Sequence, residues 1–153
     1  MRVRDLMSVD PATCLPADSC GAALTLMASR RCGFLPVIDG PESRRVVGVV
    51  TDRDIAMHLG RHDAPASAIP VEACMSRGVC TVGPDEDLEQ AVALMETGAF
   101  HRLPVVDRGC AVGVLSLKDL ARVARQEWSH AGPHMVERQL AEIIEAIAAA
   151  PPR

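Results

Sequence analysis

At 153 residues and 16.3 kDa, with 48% of its residues apolar, the chain is long enough for one compact domain or for two very small ones sharing a core. A formal net charge of −4 and a pI near 5.7 argue against a general nucleic-acid or anionic-membrane surface. No stretch reaches the roughly 18 apolar residues of a membrane span, and the start, Met1 to Met7, has no signal-type apolar run, so a cytoplasmic location is expected.

The aromatic residues are Phe34, Phe100 and Trp128, so the interior has to be built from Val, Leu, Ile, Met and Ala. Six cysteines (Cys14, Cys20, Cys32, Cys74, Cys80, Cys110) are many for this length, yet none stands in C-x-x-C spacing. In a reducing compartment they read most simply as small core residues, with a redox or metal role as the alternative.

Along the chain the first helix is expected at about 18–31, capped by Asp18 or Ser19, with Ala22, Ala23, Leu26 and Met27 on its apolar face. Short β-branched runs at 35–38 and 46–50, bounded by Gly, Pro or Asp, read as strands. Thr51 then stands at a helix N-cap with Asp54 three residues later, and 59–70 reads as a linker. The counterpart of the first helix follows at about 86–98, with Asp85 as cap and Leu88, Val92, Leu94 and Met95 as its stripe. Strands at 103–106 and 111–115 lead to Ser116, another N-cap, with Asp119 three residues on. That helix is expected to reach about Trp128, Gly132-Pro133 breaks it, and a last amphipathic helix spans about 134–149.

These elements repeat. One constant offset carries Asp5-Leu6-Met7-Ser8 onto Ala73-Cys74-Met75-Ser76, Thr13 onto Thr81, Met27 onto Met95 and Leu35-Pro36-Val37 onto Leu103-Pro104-Val105. A slightly shorter offset carries Gly48-Val49-Val50-Thr51-Asp52-Arg53-Asp54 onto Gly113-Val114-Leu115-Ser116-Leu117-Lys118-Asp119, the missing residues coming out of a polar turn.

Each Gly-x-x-Thr/Ser-x-x-Asp segment combines a flexible glycine, a hydroxyl at a helix N-terminus and a carboxylate one turn along. Free N–H groups and the helix dipole there attract a phosphate, the hydroxyl adds a donor, and Asp54 or Asp119 can accept from two ribose hydroxyls. Arg53, Lys118 and the pair His101-Arg102 supply local positive charge. The plain alternative is a capping box on an ordinary helix, and the duplication weighs against it. His101-Arg102 has no counterpart in the first repeat, where Gly33-Phe34 stands, so two unequal sites are expected. His58, His62, His130 and His134 suggest no ligand grouping, and no metal site is expected.

On these residues the sequence resembles the cystathionine β-synthase-type (CBS) domain family in its tandem form, over about residues 1–127. The resemblance implies an α/β (α+β) fold of two β-α-β-β-α repeats, 1–58 and 71–127, related by a pseudo-twofold axis, with 128–153 as a C-terminal helix and tail. It also implies clefts for AMP, ADP, ATP or a related adenosyl ligand such as S-adenosylmethionine or NAD, with no cofactor required. Asp54 and Asp119 would take ribose hydroxyls. Thr51 and Ser116 would lie at the phosphates near Arg53, Lys118, His101 and Arg102. Backbone near Ala12-Thr13 and Cys80-Thr81 would meet adenine.

Family members of this kind commonly form homodimers, and the stripe Val136, Leu140, Ile143, Ile144 and Ile147 supplies an independent reason to expect one; packing back on its own module is the alternative. No paired nucleophile and base appears, so the chain reads as a sensor acting through an unidentified protein partner and not as an enzyme. A stress or redox-responsive protein without bound nucleotide, with Cys14 and Cys80 sensing, is the second reading.

Overall fold

The computed structural model describes residues 1–122, 140–145 and 149. Its elements in order are β1 (Ser8–Val9), α1 (Cys20–Arg30), β2 (Phe34–Ile38), β3 (Val46–Thr51), α2 (Asp52–Leu59), α3 (Leu88–Gly98), β4 (Arg102–Asp107) and β5 (Cys110–Ser116), with single 3-10 turns at Val3–Asp5, Ala66–Ala68 and Val71–Ala73. Residues 117–122 and 140–145 are helical. The fold is mixed helix and strand with small sheets, and no described helix is long and apolar enough to cross a membrane. The expected run to Trp128, the Gly132-Pro133 break, His130, His134, Val136 and Ile147 lie outside the described residues.

The chain divides into two compact units. One comprises Met1–Val9, Cys80–Val105 and the described residues from Val112 onward; the other comprises Asp10–Val79 with Val106–Ala111. Thus Met1–Val9, the start of the first repeat, belongs to the unit built mainly from the second.

In the first of these units β5 lies between β1 and β4, and Val82 adds a parallel bridge to Val105. Its core gathers Val3, Leu6, Val82, Leu88, Ala91, Val92, Met95, Leu103, Val105, Leu115, Leu120 and Ile143. The N-terminal turn is held by Val3 N–H to Glu86 O (3.0 Å) and Leu88 N–H to Met1 O (2.9 Å). Asp85, expected to cap α3, instead takes Arg2 at 3.0 Å and Arg4 at 2.5 Å; the N-cap is Asp87. The helix starts at Leu88, so Asp85 falls two residues short of the cap position.

In the other unit β2 pairs antiparallel with β3, Cys14 bridges Val37 in parallel and Ser76 bridges Val49 antiparallel. Cys14, Cys20, Ala23, Met27, Leu35, Val37, Val50, Ile55, Ile69, Val71 and Met75 form its core. Ser19 caps α1, accepting from Ala22 N–H at 3.1 Å. Of the expected apolar face Ala23 and Met27 are buried, Leu26 is half-buried, and Ala22 is exposed. Cys20 completes the buried stripe. Both α1 and α3 stop at a residue in the left-handed region, Arg31 (φ 51°) and Ala99 (φ 49°), which is one more mark of the repeat.

Of the last helical stretch, Ile143 is fully buried in the first unit's core with Leu140 packed against it, while Ile144 is 52% exposed. Removing buried branched carbons leaves a cavity. Ile143→Ala should therefore cost about 2–5 kcal/mol in urea unfolding, and Ile144→Ala within about 0.5 kcal/mol of nothing; equal losses would contradict this packing.

Candidate functional site

The two motif segments place their groups alike. β3 ends at Thr51, whose hydroxyl accepts from Asp54 N–H (3.1 Å) while Asp54 Oδ2 accepts from Thr51 N–H (2.9 Å) and Thr51 Oγ1 (2.6 Å). β5 ends at Ser116, with Asp119 N–H to Ser116 Oγ at 3.3 Å and Asp119 Oδ2 accepting from Ser116 N–H (2.9 Å) and Oγ (2.5 Å). Each is a reciprocal capping box. Each hydroxyl donates to its own carboxylate.

Neither motif glycine is a flexible hinge. Gly48 and Gly113 sit inside β3 and β5, and a Cβ on Gly48 would come 2.9 Å from Ser76 O, one on Gly113 3.0 Å from Ser8 O and 2.7 Å from Met7 Sδ. Close approach of a crossing backbone excludes a side chain there.

The remaining expected residues sort by unit. Cys14 bridges Val37 in β2, two residues beyond Leu35, which pairs with Val50 next to Thr51. Ala12 and Thr13 are half-buried, and Arg53 is exposed. In the same way Val82 bridges Val105 in β4, and Cys80, half-buried, and Thr81, exposed, directly precede it. Leu117 N–H donates to His101 O at 3.1 Å, and this brings His101 and Arg102 to the helix start that carries Ser116 and Lys118.

The termini differ in charge and in what is already bonded. At α2, Asp52 N–H donates to Gly33 O (3.3 Å) and Arg53 N–H to Asp52 Oδ1 (2.8 Å), so this helix start holds its own anion; the Asp52 carboxylate lies where a Cβ on Gly33 would meet it at 2.5 Å. In the other unit Leu117 stands in place of Asp52 and His101 in place of Gly33, and Lys118 N–H has no partner among the described residues.

The carboxylates differ in the opposite sense. Asp54 is half-buried and its Oδ1 accepts no hydrogen bond among the described residues. Asp119 is only 7% exposed, and its Oδ1 accepts from Ser8 Oγ at 3.2 Å with Arg122 Nη2 3.7 Å away.

Two groups had no sequence signal that was used. His58 and His62, four apart, stack their rings at 4.3 Å. Cys20 and Cys74 bring their sulfurs to 3.0 Å. Burial pushes the Cys14 thiol up to about 12, with the Asp18 charge adding to it. Among the described residues no three His, Cys, Asp or Glu side chains form a group able to hold a metal ion.

Comparison with known proteins bears on this arrangement. The CBS domain family pattern matches twice, at residues 3–61 and 71–126. The CBS domain-containing protein YhcV of Bacillus subtilis (strain 168) is 34% identical over 119 residues, covering 78% of this chain and 82% of that protein. The CBS domain pair of protein MJ0100, crystallised in complex with 5′-methylthioadenosine and S-adenosyl-L-methionine, superposes with a TM-score of 0.73 at 26% identity, covering 83% of this chain and 98% of that one. CBSX2, crystallised in complex with AMP, gives a TM-score of 0.69 at 30% identity over 82% and 97% of the two chains.

The glycine geometry makes a direct prediction. Gly48→Ala pushes a methyl into the Ser76 carbonyl and should cost about 1–3 kcal/mol, whereas Gly40→Ala, with nothing within 4 Å, should be neutral or slightly stabilising in the same denaturation experiment.

Proposed function

Since the chain belongs to the CBS domain family as a tandem pair of repeats, we propose that it is a regulatory module that binds an adenosyl ligand and passes that state to a partner protein. The observation that carries the reading is the duplicated strand-end box, in which a strand-end N–H and hydroxyl hold one carboxylate oxygen and so aim the other. An aimed carboxylate oxygen suits a ribose hydroxyl pair. The structures of MJ0100 with S-adenosyl-L-methionine and of CBSX2 with AMP support an adenosyl ligand.

In this reading Asp54 and Asp119 bind ribose, Ala12-Thr13 and Cys80-Thr81 offer backbone to adenine, and Thr51, Arg53, Ser116, Lys118, His101 and Arg102 surround the phosphate or its substitute. The binding energy works as a switch only through a difference between two states of the protein, typically about 1–3 kcal/mol. A cytoplasmic homodimer completes the proposal, with exposed Ile144 as an apolar residue available for assembly.

For a phosphorylated ligand the Ser116 half is the stronger. Its ribose hydroxyl exchanges with Ser8 Oγ, one hydrogen bond for another, while the Thr51 half sets the phosphate against Asp52, a like charge close by. In calorimetry with AMP, Asp119→Ala should weaken binding at least tenfold, about 1.4 kcal/mol, and Asp54→Ala should leave most of the heat. Folded wild-type protein giving no heat with AMP, ADP, ATP, NAD or S-adenosylmethionine would remove the proposal.

A further inference from the structure

The repeat supplies an internal comparison for the cysteines. The offset that carries Met7 onto Met75 carries Leu6 onto Cys74, and it makes Leu88 the counterpart of Cys20. Leu6 and Leu88 both sit in the core of their unit, 1% and 4% exposed. At the matching places the other unit has two thiols, with Sγ atoms 3.0 Å apart. Two smaller residues in place of two leucines are a poor choice for filling space alone.

The backbone around them is already zipped. Cys20 N–H donates to Ile69 O at 2.7 Å, Val71 N–H to Asp18 O at 2.8 Å, and Ser19 bridges Pro70. Cys74 closes the turn Val71–Ala73, its N–H on Val71 O at 3.0 Å. The sulfurs need to approach by only about 1 Å to reach the bonded distance of about 2.05 Å.

We propose that Cys20 and Cys74 are a dithiol–disulfide site, closed by exchange with a low-molecular-weight disulfide, which fastens the start of α1 to the segment ahead of Ser76. The proposal is independent of nucleotide binding. Half-buried Cys74 reacts first: its thiolate forms a bond to one sulfur of the small disulfide, whose S–S bond breaks and releases one small thiolate. Cys20, having lost its proton, then attacks the Cys74 sulfur and expels the second. Two protein thiols are oxidised, the small disulfide is reduced to two thiols, and those take up both protons.

Burial, the hydrogen bond to Cys20 and the nearby charge of Asp54 push the Cys74 thiol up to about 12. Thiolate is therefore scarce at neutral pH and the exchange is slow. The end point is set separately, by how closely the fold holds the two sulfurs together. Such a site is a slow latch and not a fast peroxide sensor. Its position matters because Ser76 exchanges two 2.9 Å hydrogen bonds with Val49, two residues ahead of Thr51.

The test uses the full chain, equilibrated with oxidised glutathione, alkylated, digested with trypsin without reduction and read by mass spectrometry. Peptide Asp5–Arg30 should appear linked to His62–Arg77, and dithiothreitol should separate them. Because Asp5–Arg30 also contains Cys14, the link should persist in Cys14→Ser and vanish in Cys20→Ser and Cys74→Ser. Cys74→Leu, which copies Leu6, should keep the fold and lose the link. Oxidation should raise the unfolding midpoint of wild type and Cys14→Ser and leave that of Cys74→Leu unchanged. A link through Cys14 or Cys80, or recovery of Cys20 and Cys74 unlinked from folded, equilibrated Cys14→Ser protein, would overturn the proposal.

Discussion

Gly48 and Gly113 each stand where a carbonyl from elsewhere in the chain comes within 3.0 Å of the position a Cβ would take. Those carbonyls belong to Ser76 and Ser8, in the short extended segments that complete each unit's sheet. The constraint is steric and admits one residue type. Because each crossing segment must lie that close, β3 and β5 are held at fixed depth, and the strand ends Thr51 and Ser116 are fixed with them. The capping boxes and their carboxylates inherit that position.

The same crossing explains why the two halves differ at their carboxylates. In the first unit the crossing segment brings Ser8 itself into hydrogen-bonding reach of Asp119. In the other, the equivalent Ser76 makes backbone bonds to Val49, and Asp54 keeps one oxygen open. The helix starts diverge through a different pair of positions, Asp52 with Gly33 against Leu117 with His101, because an acidic side chain at the first helical position fills the anion site of its own helix. Identical topology thus carries unlike electrostatics.

Much of the arrangement was legible in the residues. The repeat offset located both Thr/Ser caps, and β-branched runs placed four strands to within a residue or so, because those signals are local: a period, a turn residue, a cap three residues from its carboxylate. What escaped depends on contacts between distant residues. The glycines looked flexible since a crossing carbonyl leaves no mark in the local sequence. Asp85 looked like a helix cap since Arg2 and Arg4 lie some eighty residues away along the chain. Cys20 and Cys74 were read singly, and only the fold of Ile69 and Val71 onto the start of α1 joins them. His101-Arg102 marked a difference between the halves in the sequence, but the placement of Asp52 at its own helix start did not stand out, because an acid beside an N-cap reads equally as helix-dipole complement and as an occupant of the anion position.

A module of two unequal halves differs in kind from one with two equal sites. Equal sites report one ligand twice, and their response is a matter of occupancy alone. Here the Ser116 half combines an open N–H with three basic side chains, whereas the Thr51 half combines an open carboxylate oxygen with an internal anion and a contacting thiol pair. On the proposed reading each half would answer to different chemistry, phosphate charge in one and neutral or cationic adenosyl groups or thiol state in the other. A ligand can shift the protein only by the difference in its affinity for two states, and divergence of the halves is what allows two chemical inputs to act on one fold without competing for the same groups.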